Sequence, residues 1–178
     1  MIALWYASRA VGLLALLLLT GSVVLGALTA GRASSPAWPR FAVAALHRNL
    51  ALLTVVFVAV HVATAILDGY VVLHWADAVV PFLSDYQPFW VGLGAAAFDL
   101  LLALIVTSLL RTRIRPRVWR AVHWAAYACW PIAVVHGFGI GDGGTRSLLG
   151  VAVAVGCVAA VGGALVWRAG TRKAWATR

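Results

Sequence analysis

Four histidines lie in two strongly apolar segments of the chain, in pairs with nearly the same spacing. They are His47 and His61, fourteen residues apart, and His123 and His136, thirteen residues apart. Because a helix rises about 1.5 Å per residue, each pair spans roughly 20 Å, about two thirds of the hydrocarbon core of a bilayer. Ionisable side chains at membrane depth are costly and mark candidate functional sites. The pattern therefore predicts a functional site at two depths.

Two imidazoles at one depth favour haem over zinc. A closed zinc site needs four protein ligands and an open one about three. The two cysteines, Cys129 and Cys157, do not complete such a set, because they lie in the middle of apolar runs and away from both depths. Haem brings four nitrogens of its own and takes one or two axial ligands, often histidine, from facing helices of a bundle. Two stacked bis-histidine haems would use all four histidines.

The composition predicts the elements that position these histidines. The chain has 178 residues, 63% of them apolar and 11% charged, with a mean hydropathy of +0.96. This composition indicates an all-α, polytopic membrane helix bundle in contact with lipid. The net charge of +9 does not indicate nucleic acid, because the basic residues cluster at the ends of apolar runs and form no basic face. About five transmembrane helices are predicted, at residues 10–30, 44–67, 89–110, 118–138 and 148–167.

The distribution of basic residues predicts the orientation. With five spans, twelve lysines and arginines fall on one side, and only Arg9 and Arg146 fall on the other. The positive-inside rule then places the N-terminus outside and the C-terminus in the cytoplasm. The second and fourth helices run parallel, so the first histidine of each pair lies near the cytoplasmic face. The predicted inner level is His47 with His123, and the predicted outer level is His61 with His136.

The helical phase of the two pairs differs. Fourteen residues fall about 40° short of four turns, so His47 and His61 share a face, whereas thirteen leave His123 and His136 about 140° out of phase on a straight helix. Pro131 lies between the second pair and removes one backbone hydrogen bond. We hypothesise that a kink or local unwinding at Pro131 restores the common face.

For each of the other polar residues near these levels, two interpretations are possible. Arg48 and Arg120 flank the inner histidines and are either partners of haem propionates or arginines that set topology. Asp99, in the third helix, either pairs with a histidine or carries protons, or else hydrogen-bonds a neighbouring Ser or Thr. His74 lies beside Trp75 in the outer loop, where it is either an interfacial residue or part of an acceptor site.

The paired spacing, on parallel helices separated by one span, resembles the ferric reductase-like transmembrane domain. That family includes iron reductases, NADPH oxidases and the haem subunit of the bacterial methionine sulfoxide reductase system. The resemblance covers residues 40–167 and implies a multi-pass protein of the cell membrane with two haems b, or one, ligated by the inner and outer histidine pairs. About eleven residues follow Trp167, so we expect one transmembrane domain without a flavin or NAD(P)H site.

The resemblance implies an oxidoreductase component that moves electrons across the lipid bilayer. The donor would be a separate cytoplasmic flavoprotein, free reduced flavin or quinol, and the acceptor would lie outside the membrane. One alternative is a quinol-linked cytochrome b anchor subunit of a larger complex. Another is a haem-free proton or metal transporter, although Asp99 is the one carboxylate within a predicted span, which argues against it. No nucleic-acid partner is expected.

Overall fold

The computed structural model describes residues 2–33, 35, 38–69, 71–140 and 148–176. These residues form helices joined by turns, with no strand among them. The α-helices are α1 Ile2–Ala30, α2 Arg40–Leu67, α3 Pro88–Leu109, α4 Pro116–His123, α5 Ala126–Gly139 and α6 Leu148–Ala176, with a 3₁₀ turn at Trp75–Ala78. The prediction of an all-α fold is confirmed.

Four of these helices are long and apolar enough to cross a membrane, namely α1 from Leu4, α2, α3, and α6 over Gly150–Thr171. Many of their large apolar side chains are exposed, as the leucines and valines of α2 show, which suits contact with lipid. The chain is therefore a multi-pass membrane protein, as predicted. Helix α1 begins eight residues earlier than predicted, and α6 continues nine residues beyond its predicted end.

The fourth predicted span differs from the prediction, because it consists of two helices. Helices α4 and α5 are 8 and 14 residues long, and the interruption falls at Trp124–Ala125. There the backbone hydrogen bonds join residues three apart. Ala125 N–H donates to Val122 O at 2.8 Å, and Tyr127 N–H donates to Trp124 O at 3.0 Å. A 3₁₀ turn advances about 120° per residue, against about 100° in an α-helix. This overwinding reduces the 140° phase error that a straight helix would have.

Of the two distortions hypothesised at Pro131, a kink or a local unwinding, the local unwinding is not found there. Pro131 lies inside α5, and the helix continues through it. A proline inside a helix removes one hydrogen bond and crowds the carbonyl four residues earlier, and membrane helices tolerate this because neighbouring groups satisfy the freed carbonyl. The interruption at Trp124–Ala125 is stabilised by contacts with α6. Arg168 of α6 donates a hydrogen bond to the Tyr127 hydroxyl, and its guanidinium lies 5.2 Å from the centre of the Trp124 ring.

Helix α1 is the central element of the packing. It lies against α2 and also contacts α5 and α6, while α3 packs on α4 and α5. Trp130 of α5 donates a hydrogen bond from Nε1 to Thr20 Oγ1 of α1 at 2.9 Å, and Cys129 Sγ lies 3.3 Å from the Ala97 carbonyl oxygen of α3. Both cysteines are buried free thiols. These contacts hold α5 beside α1 and α3, facing α2.

Candidate functional site

The structure brings the four histidines together in the two predicted pairs. The ring centroids of His47 on α2 and His123 at the end of α4 are 6.4 Å apart, with the ring planes at 81°. The centroids of His61 on α2 and His136 on α5 are also 6.4 Å apart, with the planes at 73°. The site therefore has two levels, each made of one imidazole from α2 and one from the α4–α5 segment.

Three of the four imidazoles donate a hydrogen bond from Nδ1 to a backbone carbonyl of a neighbouring helix. A carbonyl oxygen can only accept, so Nδ1 carries the hydrogen and Nε2 keeps its lone pair. This is the tautomer that a metal-ligating histidine needs, and such bonds also fix the ring orientation. The bonds run from His47 to Ser22 at 2.9 Å, from His61 to Ser8 at 2.9 Å, and from His136 to Trp90 at 2.7 Å.

His123 is held in another way. Its ring stacks on that of Trp119, one helical turn earlier in α4, with the centroids 4.8 Å apart and the planes at 22°. Its Nδ1 is buried and has no hydrogen-bond partner among the described residues, and the same holds for Nε1 of Trp119. The inner pair therefore has one imidazole fixed by a neighbouring helix and one packed against its own helix.

The spacing of both pairs fits a metal ion held between two imidazoles. With a metal–nitrogen bond of about 2.0 Å and about 1.1 Å from nitrogen to ring centre, two imidazoles on opposite sides of one metal have centroids about 6.2 Å apart. Both pairs are close to this value, at 6.4 Å. Among the described residues, no group of three or more His, Cys, Asp or Glu side chains could hold a metal ion. Each level thus has two imidazoles among the described residues, the number of axial ligands that haem can take and fewer than a zinc site needs.

The other predicted site residues lie outside these pairs. Arg48 and Arg120 are exposed, and Arg120 donates from Nε to the Pro116 carbonyl oxygen at 3.2 Å. Asp99 is half-buried on α3, and within the described chain no hydrogen bond or ion pair joins it to a paired histidine. The side chain of His74 is exposed, and its Nδ1 lies 3.6 Å from Asp77 Oδ2, at the start of the 3₁₀ turn.

The sequence analysis missed the acceptors of the three histidine bonds. They are backbone carbonyls, which any residue type provides, so residue type could not reveal them. One indirect signal was available, because Ser8 and Ser22 of α1 are fourteen residues apart, the same separation as His47 and His61. Two antiparallel helices that meet at both ends of such a segment must present partners at matching spacing.

The fold and the site define a multi-pass helical membrane protein with two pairs of facing imidazoles. The chain matches the family described as "Ferric reductase like transmembrane component" over residues 11–134. It belongs to that family, as the sequence resemblance implied. The match includes His47, His61 and His123 and ends two residues before His136. No curated protein and no solved structure was found to match the chain. Family membership indicates a role in electron transfer across the membrane.

Proposed function

We propose that this protein conducts electrons across the membrane through two haems b, with His47 and His123 as axial ligands of the inner one and His61 and His136 as axial ligands of the outer one. When bound, haem supplies a one-electron couple between ferric and ferrous iron. The observation that carries the proposal is the equal 6.4 Å spacing of the two imidazole pairs.

Three of the four proposed ligands are held in the tautomer that metal ligation by Nε2 requires. On His47, His61 and His136, the Nδ1–H group is occupied by a carbonyl, so the Nε2 lone pair is available without a change of tautomer. The bond also increases the basicity of the ligating nitrogen. These hydrogen bonds hold the rings of His47, His61 and His136 in position without a cofactor. Such preorganisation is what a first ligand shell requires.

The two levels together span most of the membrane. His47 and His61 are fourteen residues apart on the continuous helix α2, which corresponds to about 21 Å along the helix axis. A route with one centre near each face divides the crossing into short steps, and this division is what a transmembrane electron conduit needs.

The exposed arginines in the turn between α3 and α4 and in the first turn of α4 suggest the side of entry. Arg111, Arg113, Arg115 and Arg117 are all exposed, and α4 leads from them directly to His123. By the positive-inside rule this is the cytoplasmic side, so the inner level would receive the electron and the outer level would pass it to an acceptor outside. The donor would be a separate flavoprotein, free reduced flavin or quinol, and an acidic flavoprotein would be attracted to these arginines.

The test is a reduced-minus-oxidised absorption spectrum of the purified protein, with haem quantified per chain. We expect b-type bands and two haems in the wild type, and one haem in each of His47→Ala and His61→Ala. His74→Ala, which changes an exposed histidine away from both pairs, serves as the matched control and keeps two haems. A wild type without b-type bands would refute the proposal and favour a haem-free use of the histidines.

A reconstituted system identifies the donor. Purified protein in liposomes is supplied outside with dithionite-reduced flavin or with a short-chain quinol, and ferricyanide is trapped inside. Reduction of trapped ferricyanide by one donor and not the other decides between a flavin-linked and a quinol-linked chain. A short-chain quinol crosses a bilayer by itself and reduces ferricyanide directly, so the rate in empty liposomes is measured for each donor and subtracted.

A further inference from the structure

Three of the four paired histidines lie in the same kind of seat on a neighbouring helix. We define a seat as a backbone carbonyl that accepts Nδ1–H together with a glycine four residues later, against which the imidazole lies. The seats are Ser8 with Gly12 for His61, Ser22 with Gly26 for His47, and Trp90 with Gly94 for His136. The first two lie on α1 and the third lies on α3.

The glycine of each seat leaves the space that the ring occupies. A Cβ atom on Gly12 would lie 2.8 Å from Cε1 and Nδ1 of His61, and one on Gly94 would lie 2.6 Å from Cε1 of His136. On Gly26 it would lie 3.3 Å from Cε1 of His47. Carbon atoms do not approach so closely without displacement, so a side chain at Gly12 or Gly94 would push the ring away from its carbonyl.

The four-residue separation follows from helix geometry. In an α-helix the carbonyl of residue i points toward residue i+4, and both lie on the same face. The carbonyl already accepts the helical N–H of residue i+4, but it has a second lone pair for an outside donor. A glycine at i+4 leaves that lone pair uncovered, so a bulky donor such as an imidazole has room to approach it.

Among the described residues, no seat of this kind holds His123. Its Nδ1 is buried without a hydrogen-bond partner, and its ring is not among the nearest atoms that an added Cβ would meet at any described glycine. The ring stacks instead on Trp119 of its own helix.

We propose that the two levels differ in the exchangeability of their ligands, with both outer histidines fixed by seats and His123 the one replaceable ligand at the inner level. This inference rests on the proposed function. A small neutral ligand of ferrous iron, such as carbon monoxide, would bind at the inner level, where the iron–nitrogen bond to His123 breaks and an iron–carbon bond forms without any change in oxidation state. Gly12 and Gly94 are then positioning residues that close the outer level to such ligands.

The experiment measures carbon monoxide uptake by the dithionite-reduced, haem-loaded protein. In the wild type we expect one of the two haems to react, and this reactive haem should be absent from His47→Ala. In Gly12→Ala and Gly94→Ala the outer level should open, so that either both haems react or the outer haem is lost while helical content by circular dichroism is unchanged. Using one variant on α1 and another on α3 keeps the test valid if one of them fails to fold.

Gly21→Ala is the matched control. Gly21 lies on α1 between the two seats, and an added Cβ would meet Leu50 Cδ2 at 2.7 Å, a distance similar to that at Gly12 but with no histidine involved. This variant should behave like the wild type. Equal carbon monoxide reactivity at both wild-type haems, no reactivity at either, or a Gly12→Ala protein that matches Gly21→Ala would overturn the inference. A wild type that lacks haem would instead refute the proposed function.

Discussion

His61 of α2 donates a hydrogen bond from Nδ1 to the carbonyl oxygen of Ser8 on α1 at 2.9 Å, across 53 residues of sequence. The serine hydroxyl is also nearby, with Oγ 3.4 Å from the same nitrogen. The carbonyl contact is the shorter of the two, and it fixes the tautomer because a carbonyl cannot donate. The relationship ties the outer level to the first helix of the chain and makes its backbone part of the site.

The Ser8 side chain should be dispensable for haem binding. Ser8→Ala removes the hydroxyl and leaves the backbone carbonyl in place, so the bond that orients His61 remains. We expect two haems per chain and no opening of the outer level to carbon monoxide. Haem quantification and the carbon monoxide difference spectrum of this variant, beside those of Gly12→Ala, check the prediction. If Ser8→Ala loses the outer haem, then the hydroxyl and not the carbonyl orients the ring.

The ring planes predict the magnetic signature of the ferric protein. The planes cross at 81° in the inner pair and 73° in the outer pair. Perpendicular axial imidazoles interact with different members of the iron dxz and dyz pair, so these two orbitals stay nearly equal in energy. We expect both centres to give a strongly anisotropic low-spin signal in electron paramagnetic resonance at liquid-helium temperature. A rhombic spectrum of the kind produced by parallel imidazoles would contradict the ring orientation described above.

The hydrogen bond between Trp130 and Thr20 should contribute measurably to stability. Nε1 of Trp130 donates to Thr20 Oγ1 at 2.9 Å in a buried setting, and Thr20 donates onward to the Leu16 carbonyl oxygen at 2.8 Å. Interhelical bonds of this kind contribute about 1 kcal/mol in membrane bundles. A double-mutant cycle with Trp130→Phe and Thr20→Val, followed by unfolding in mixed detergent, measures the coupling. Additive effects of the two substitutions would show that the bond contributes nothing.

Pro131→Ala should retain both haems. The interruption that brings His136 toward the face of His123 lies at Trp124–Ala125, and α5 is continuous through Pro131. Replacing the proline restores one possible helical hydrogen bond without moving the interruption. The measurement is haem per chain, compared with Arg168→Gln, which removes the guanidinium that braces the interruption and should loosen haem binding at the inner level. If Pro131→Ala loses haem and Arg168→Gln does not, then a distortion at Pro131, and not the interruption at Trp124–Ala125, positions His136.

Much of the site could be predicted from residue type and spacing alone. Histidines at fourteen- and thirteen-residue separations in apolar segments are conspicuous because lipid makes each imidazole costly. One intervening span makes the two apolar segments parallel, which groups the first and second members of the pairs by depth, and the charge pattern of the linkers predicts which depth faces the cytoplasm. The same reasoning could not locate Arg48 and Arg120 relative to the pairs, because a long exposed side chain is compatible with several positions.

The sequence by itself therefore determined the class of protein, the four histidines and their division into two depths, since these depend on hydrophobicity and helical rise. Only the tertiary structure decided where the fourth segment is interrupted, how the imidazole planes are turned, and that His123, alone of the four, has no carbonyl partner among the described residues. Those features depend on backbone carbonyls and on the close approach of helices at glycine. Every residue has a carbonyl, so its role becomes visible only when another helix brings a donor to it.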